Sequence, residues 1–382
     1  MLDKNKIRNA LKEFYRYLLF TFFCVCVTFT AIFHSSCQIT SGGIKFIGED
    51  YSSPEIKSVT VISSDEVKIC FSKKVSVTNS CVSPLGSGEV PFLNPLDSSI
   101  NVEPVYEDSS FSVIYKMAQE SELGKKYQLY SEVKDETGNS LSFSIPFNGY
   151  NSRMPVCVLS EIRDAYQKDK KTEFVEIFTL TAGNLYGLEL YCAKDKDSYV
   201  FPDIEVNAGE YITVHLRKLN EQCVDELGAD LAFSNGIEHS DSGRDLYVGD
   251  TKSWLGASCD IVILRNSNNN VILDCVPYCK PSYLEKYKDW NEAELKKYSL
   301  AAVDSGVWMD SPDVSGAIVK KDTTSVNYSL GRKNINRLFE RVKAGKIEGV
   351  ISSCKNDWGE LFTVSPGAAS KDSDYDQDKK KK

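Results

Sequence analysis

Apolar and polar residues follow two successive regimes along this chain, the second interrupted by helical spacing. Residues 18–33 form an almost continuous apolar run. From residue 56 the pattern becomes an alternation of period two, the mark of strands with one buried face. Segments 56–62 and 66–71 alternate in this way around the turn residues Ser63, Ser64 and Asp65, which predicts a hairpin. Further strands are predicted at 111–115, 126–133 and 141–147, with 135–139 turning the last two. Beyond Pro155 come strand-like segments at 157–162, 173–180, 185–190, 199–201 and 204–216, then a hairpin of 260–264 with 271–276 across an Asn-rich turn. Helical spacing is confined to two places. Asn291 as a cap with Glu294 in the capping-box position predicts a short helix or two after Cys279. Ile335, Leu338, Phe339 and Val342, followed by Gly345 as a stop, predict an amphipathic helix packed on the sheet edge.

The apolar run differs from the rest because of what flanks it. Lys4, Lys6, Arg8, Lys12 and Arg16 precede it against only Asp3 and Glu13, the bias of a segment held on the cytoplasmic side. A spanning helix wants about 20 apolar residues and a signal-peptide core roughly 7–15, so the leader reads as a cleaved export signal. It ends at His34-Ser35-Ser36-Cys37. The last three residues fit a lipidation box; His34 stands where an aliphatic residue is expected, with Phe33 one place earlier. Cys37 is therefore the candidate lipidation site, with secretion after cleavage near Ser36 and an uncleaved anchor as the alternatives.

The whole chain carries −9 and the leader +3, so the remainder is near −12. An acidic body does not seek nucleic acid or anionic lipid. Nine cysteines follow Cys37, an odd number that excludes complete pairing among them. Several sit in apolar strand patterns, as Cys70 does, where a thiol packs as a small hydrophobe. Cys275 and Cys279 bracket Val-Pro-Tyr and read as a local disulfide or as two packing residues. A zinc site needs more thiolates or imidazoles than these supply.

Two stretches resemble known families. Ser53-Pro-Glu-Ile-Lys-Ser-Val, Val67-Lys-Ile-Cys-Phe-Ser-Lys-Lys-Val75 and Asp135-Glu-Thr-Gly-Asn139 resemble bacterial immunoglobulin-like domains of surface proteins. That likeness implies a spacer or a binding surface. In the turn, Gly138 supplies a positive φ while Asp135 and Asn139 close onto backbone groups, a reading preferred to a cation site. Across 157–367, the order Ser160-Glu161, Glu173-Phe-Val-Glu176, Leu185-Tyr-Gly187-Leu-Glu-Leu190, Gly209-Glu-Tyr211, Ser329-Leu-Gly-Arg332, Asp357-Trp358 and Thr363-Val-Ser-Pro-Gly367 resembles the lamin-tail domain, which implies an immunoglobulin-like sandwich.

Candidate chemistry is sparse. Glu161, Glu173 and Glu176 could form a carboxylate cluster for a cation or for acid-base work. On a strand, however, Glu176 shares a face with Phe174 and needs a cationic partner. Arg332 is the expected one, in a structural Glu176–Arg332 ion pair. Residues 238–241 contain hydrolase residue types, but sequence neighbours cannot converge on one atom and no nucleophile elbow accompanies them. His215 reads as a half-exposed strand residue. No phosphate loop, dinucleotide fingerprint or metalloprotease helix is present.

The sequence thus predicts an all-β chain of two Ig-like antiparallel β-sandwich domains, the second with short helical insertions. The expected boundaries are 1–36 signal peptide, 37–52 tether, 53–150 Ig-like domain, 155–368 lamin-tail-like domain and 369–382 disordered charged tail. The expected role is a non-catalytic cell-envelope lipoprotein, periplasmic or surface-exposed, held to the membrane through its anchor and meeting a protein or peptide partner. No metal, cofactor or nucleic acid is expected. The alternative is an accessory module or divergent member of an extracellular nuclease or phosphatase system, whose only room for an active site is 283–308.

Overall fold

A computed structural model describes residues 38–40, 43–45, 52–86, 99–107, 111–249, 252–321, 325–346, 350–371 and 375. The leader, Cys37 and most of the expected tether lie outside the described residues, as does most of the tail. Two short strands, β1 (Gln38–Thr40) and β2 (Gly43–Lys45), pair as a hairpin.

The first domain holds β3 (Ile56–Val61), β4 (Glu66–Phe71), β5 (Val75–Leu85), β6 (Ile100–Tyr106), β7 (Ser112–Met117), β8 (Lys126–Asp135) and β9 (Ser140–Asn148). The strand order is β3-β4-β7-β6-β5-β8-β9, and every pairing is antiparallel. The β5–β6 seam is only two pairs long, Cys81 with Asn101 and Val82 with Ile100, so the sheet folds there into two halves. Val67, Ile69 and Phe71 alternate inward from β4 and meet Leu129, Val133 and Phe143 from the opposite half. Tyr115 crosses the core edge-on to Phe143, and its hydroxyl lies 3.1 Å from Ser131 Oγ. The expected hairpin is present as β3–β4.

The second domain stacks two sheets. Strands β10 (Cys157–Arg163), β11 (Phe174–Thr179), β16 (Tyr211–His215), β17 (Arg244–Tyr247), β21 (Ser329–Arg332) and β22 (Trp358–Leu361) form a six-stranded sheet, ordered β17-β16-β11-β10-β21-β22. Strands β13 (Leu188–Cys192), β14 (Asp197–Val200), β18 (Cys259–Asn266), β19 (Ile272–Cys279) and β20 (Ile318–Val319) form a five-stranded one, ordered β14-β13-β18-β19-β20. A separate ribbon joins β12 (Gly183–Asn184) to β15 (Glu205–Val206). Leu159, Val175, Ile177 and Val214 from one sheet pack with Leu190, Ile261, Ile263 and Val276 from the other.

The sheets are not wholly antiparallel. β16–β17 and β19–β20 pair in parallel. Each pair is joined by a long crossover, residues 216–243 and 280–317, which a parallel pairing requires.

Both outer faces are covered, so β10, β11 and β13 are buried along their whole length instead of alternating. Helix α1 (Pro281–Lys286) and helix α2 (Ala293–Asp304) lie on the five-stranded side. There Arg265 reaches Glu189 at 2.8 and 2.9 Å and the Tyr298 hydroxyl at 2.6 Å. Helix α3 (Ile335–Lys343) lies over the six-stranded sheet, with Ile335 and Leu338 on Val158, Phe178 and Leu180. Each fully buried aliphatic side chain of this kind is worth about 1.5–3 kcal/mol.

Gly345 ends α3 at φ +63°, as expected. The expected cap of α2 is corrected: Glu292 is its N-cap and makes no side-chain capping bond. Asn291 instead accepts the Tyr283 hydroxyl at 2.5 Å, tying α2 to α1.

The domains are joined through polar contacts. The Tyr186 hydroxyl donates to Lys125 O at 3.0 Å, and Asn148 Nδ2 donates to Ser267 Oγ at 3.2 Å. In the linker, Asn151 Nδ2 donates to the Asn184 and Tyr186 carbonyls at 2.6 and 2.9 Å. The linker runs so close to the ribbon that a Cβ on Gly183 would lie 2.1 Å from Arg153 O. Among the described residues no helix is long and apolar enough to cross a membrane.

Candidate functional site

The ladder between β10 and β11 slips between Leu159 and Glu161, leaving Ser160 as an extra residue and setting Glu161 opposite Glu176. Their side chains share the outer face of the sheet. Ser160 Oγ donates to Glu176 Oε1 at 2.6 Å, and Ser329 Oγ donates to Glu161 Oε1 at 2.6 Å. The closing segment 363–370 seals both carboxyls. Gly367 N donates to Glu176 Oε2 at 2.6 Å and Ser365 Oγ donates to Glu161 Oε2 at 2.9 Å. Burial raises the Glu161 carboxyl, while its serine partners pull the other way. Glu176 is raised well above its ordinary value by burial and then by the charge of Glu161. Two carboxylates without a cation between them cannot both ionise cheaply in a dry site. Both shifts favour the protonated form, and the closing segment joins the two carboxyls as a clasp.

Glu173 is not part of this cluster. It accepts Ser253 Oγ at 2.5 Å and has Arg217 Nε at 3.5 Å.

The expected Glu176–Arg332 ion pair is corrected. Arg332 Nη2 donates to Asp274 Oδ2 of β19 at 2.5 Å, and its guanidinium sits 5.0 Å from the Trp358 ring centroid. The cause is strand alternation. Ser329 points outward to Glu161, whereas Leu330 packs in the core and Arg332 follows it inward. Glu176 faces outward between Val175 and Ile177, which belong to the core. The two residues therefore occupy opposite faces of one sheet.

His215 is fully buried and not half exposed. Its Nε2 lies 2.8 Å from Asp245 Oδ1, its Nδ1 lies 3.1 Å from Thr172 Oγ1, and the Tyr247 ring stacks on it at 4.7 Å. Hydroxyl, imidazole and carboxylate in one line are the residue types of a nucleophilic triad. Here all three are fully buried, so a substrate has no approach. The network is mechanical: Asp245 Oδ2 accepts Ser240 N at 2.6 Å, and Arg163 pairs with Glu238, which also accepts Thr172 N at 2.8 Å. It fastens the crossover 216–243 to the sheet. Residues 238–241 supply loop contacts, with His239 Nδ1 2.8 Å from Gly236 O. Asp245 and Arg163, charges inside strand segments, were the sequence signal for this network.

Asp135 closes its turn as expected. Its carboxylate accepts Asn139 N at 2.8 Å, Asn139 Nδ2 at 3.0 Å and Thr137 Oγ1 at 2.8 Å. Burial alone would raise this carboxyl; the bonds from Asn139 and Thr137, with Lys73 behind them, hold it far below its ordinary value. Among the described residues no three His, Cys, Asp or Glu side chains gather as metal ligands.

Cys275 and Cys279 lie four residues apart on one strand, roughly 13 Å, too far for a local disulfide. Two contacts involve described residues of the expected tail. Ser370 Oγ lies 3.1 Å from Ser365 Oγ, and Tyr375 bridges to Leu361 on β22.

An accessible cleft of about 790 Å³ lies in the second domain beside the linker. Asp203, Glu205 and Val206 of the ribbon side and Leu227 and Leu231 of the crossover line it, with Arg153 and Arg244 at its walls. Arg244 is anchored by Glu210 Oε1 at 2.7 Å and by Gly228 O at 2.7 Å, which fixes the crossover beside the cleft. Leu227 and Phe233 are left 53% and 58% exposed on that crossover.

Comparison with known proteins gives weak structural likenesses and a definite sequence family. The N-terminal part of the bacterial S-layer protein SbsC matches with a TM-score of 0.23 and 14% identity, over 59% of this chain and 43% of that one. A DUF4876 family protein from Bacteroides thetaiotaomicron matches with a TM-score of 0.25 and 12% identity, over 68% of this chain and 83% of that one. An "Uncharacterized protein" of Treponema pallidum (strain Nichols) is 27% identical over 218 residues, 55% of this chain. The chain spans 54% of that relative's length. Residues 155–359 match the model of the family described as TP_1001_2nd, protein second domain, and the chain belongs to that family.

Proposed function

We propose that this protein is a non-catalytic, lipid-anchored module of a bacterial cell envelope, built from an immunoglobulin-like domain and a lamin-tail-like domain, which binds an extended peptide segment at the cleft between the linker and the second domain. The observation that carries this reading is a separation of roles. The hydrogen-bonded residues with chemical potential, Thr172, His215, Asp245, Glu161 and Glu176, are sealed and satisfied. A surface open to a ligand is the cleft.

The cleft suits a peptide backbone. Among the described residues the β12–β15 ribbon at its floor gains no third strand; Arg153 O takes Asn184 N on the β12 side at 2.8 Å, and the β15 side is the edge to which a strand could add. The lining carries both charge signs beside exposed Leu227, so side chains of either sign find a complement. The insertion 283–308, the one place a hydrolase site could have occupied, buries Trp290, Leu295, Ala302 and Trp308 in the core.

Panning a random peptide library on the immobilised full-length chain tests the binding role. Enriched sequences that bind the wild type and lose at least tenfold in affinity to Leu227→Asp support it. Absence of any enriched sequence, or enriched peptides indifferent to Leu227→Asp, overturns it. Mass spectrometry of the mature amino terminus tests the anchor: a diacylglyceryl group on Cys37 is expected, and an unmodified new terminus or an intact leader refutes it.

A further inference from the structure

Cys259 opens β18 and Cys279 closes β19, and their Cα atoms are direct partners in the antiparallel ladder. Antiparallel partners alternate between hydrogen-bonded and non-hydrogen-bonded sites. Pro277 fixes the phase, since a proline has no N–H to donate and Ile261–Pro277 must be a non-hydrogen-bonded pair. Two residues further along, Cys259–Cys279 falls on the same kind of site. The bond from Lys280 N to Ser258 O at 2.8 Å, one step beyond, agrees with that phase. At such sites Cα atoms stand roughly 4.5 Å apart with side chains close together, within the range a disulfide spans.

The other described cysteines lack this arrangement. Cys70 faces Ser58 and Ser112, Cys81 faces Asn101 and Tyr130, Cys157 faces Thr179, Cys192 faces Asp197 and Val262, and Cys275 faces Ile263. Cys223 and Cys354 lie outside the strands.

We propose that Cys259 and Cys279 form a cross-strand disulfide that pins the end of the β18–β19 hairpin from which α1 departs. The inference rests on register and does not depend on the envelope reading. The oxidant is a small-molecule or protein disulfide. One cysteine thiolate attacks it, forming a mixed disulfide and releasing one reduced thiol; the second cysteine thiolate then attacks the mixed disulfide at the first cysteine's sulfur, forming the S–S bond and releasing the other. Two electrons pass to the oxidant, and each cysteine loses one proton.

Timing follows from burial. Both thiols are fully buried in the folded chain, Tyr283 of α1 lies beside the Cys259 sulfur, and Lys320 N donates to Cys279 O at 3.0 Å. Burial pushes Cys279 up to about 11 and raises Cys259, so neither supplies thiolate once covered. The exchange therefore belongs to the folding hairpin, before α1 and β20 close over it.

The test is refolding of the reduced full-length chain in oxidised and reduced glutathione, trapping with N-ethylmaleimide, and peptide mapping without reduction. A peptide linked through Cys259 and Cys279 is expected. Recovery of both as maleimide adducts, or of either one linked to a different cysteine, overturns the proposal. A second measurement removes dependence on mapping. Dithiothreitol should lower the wild-type Tm by on the order of 10 °C, as expected for a loop of about 20 residues, and should not change the Tm of a Cys259→Val, Cys279→Val double variant. An equal reductant effect on both proteins refutes the assignment.

Discussion

Arg332 and Asp274 join the two sheets of the second domain through a single bond of 2.5 Å, both side chains being fully shielded from solvent. Asp274 also accepts Leu159 N at 2.7 Å and Cys275 N at 2.9 Å, so one carboxylate holds the guanidinium, the strand slip in β10 and its own strand together. Arg332 has no such reserve, since its Nε and Nη1 meet no acceptor.

The asymmetry sets an order of mutational costs. Asp274→Ala should destabilise the second domain by about 3–5 kcal/mol, because it strands a buried cation and frees two backbone donors. Arg332→Met should cost distinctly less, since Asp274 keeps its two backbone bonds. Urea unfolding followed by tryptophan fluorescence measures this domain alone, because Trp254, Trp290, Trp308 and Trp358 all lie in it. Equal costs for the two variants would contradict the account.

The carboxyl clasp predicts a stability that falls with rising pH. Burial raises Glu161 and raises Glu176 well above the ordinary 4.5, so the folded state binds protons that the unfolded state has released. The clasp's contribution is complete below pH 4.5 and declines above it. Asp260, raised by burial from 3.8 to about 7, acts in the same direction over that window. Glu176→Gln keeps the shape and an acceptor oxygen for Gly367 N without the ionisation, and the Ser160 hydroxyl can turn to accept from the new amide. It should flatten the urea-midpoint profile between pH 5 and 7; an unchanged slope would remove Glu176 from the explanation.

Asp135 gives the first domain the opposite response. Its carboxyl is held below the ordinary 3.8, so its contribution is present above that pH and is lost as acid protonates it. Asp135→Ala should cost the first domain roughly 1–3 kcal/mol at pH 7 through freed turn donors and much less near pH 2. Hydrogen exchange of β8 and β9 peptides is the appropriate readout.

Gly367 carries the strap over the clasp. Its φ of +77° disfavours any side chain, and a Cβ there would lie 2.1 Å from Ser240 Oγ. Gly367→Ala should raise exchange of segment 363–370 by at least tenfold and expose Glu176 to solvent. Unaltered protection of that segment would show that the strap tolerates the change.

Legibility in the sequence followed face exposure. Strands with one face less buried than the other, such as β4, announced themselves through alternation. β5 and β6 did not, because Pro84 and Pro104 interrupt them and much of each faces solvent. The clasp was half visible: Glu161 and Glu176 were candidates from their place in apolar strands, but the slip at Ser160 that sets them opposite each other leaves no mark in composition. Arg332 was expected against Glu176, whereas its partner is Asp274. The sequence could not give its face, because a four-residue strand, Ser329–Arg332, with Gly331 inside offers no alternation to count. The Thr172–His215–Asp245 line required knowing that β16 and β17 run parallel, which only the long crossover hinted at.

The strap has a consequence for synthesis. Ser365 and Gly367 bond to residues 204 and 191 positions earlier in the chain, so the outer face of the first strand pair to emerge stays uncovered until nearly the whole domain has appeared. Such remote closure slows folding and prolongs exposure of sticky intermediates. A chain threaded amino terminus first through a membrane would present β10 and β11 long before their cover, and would need either an escort or a slow, late-locking fold.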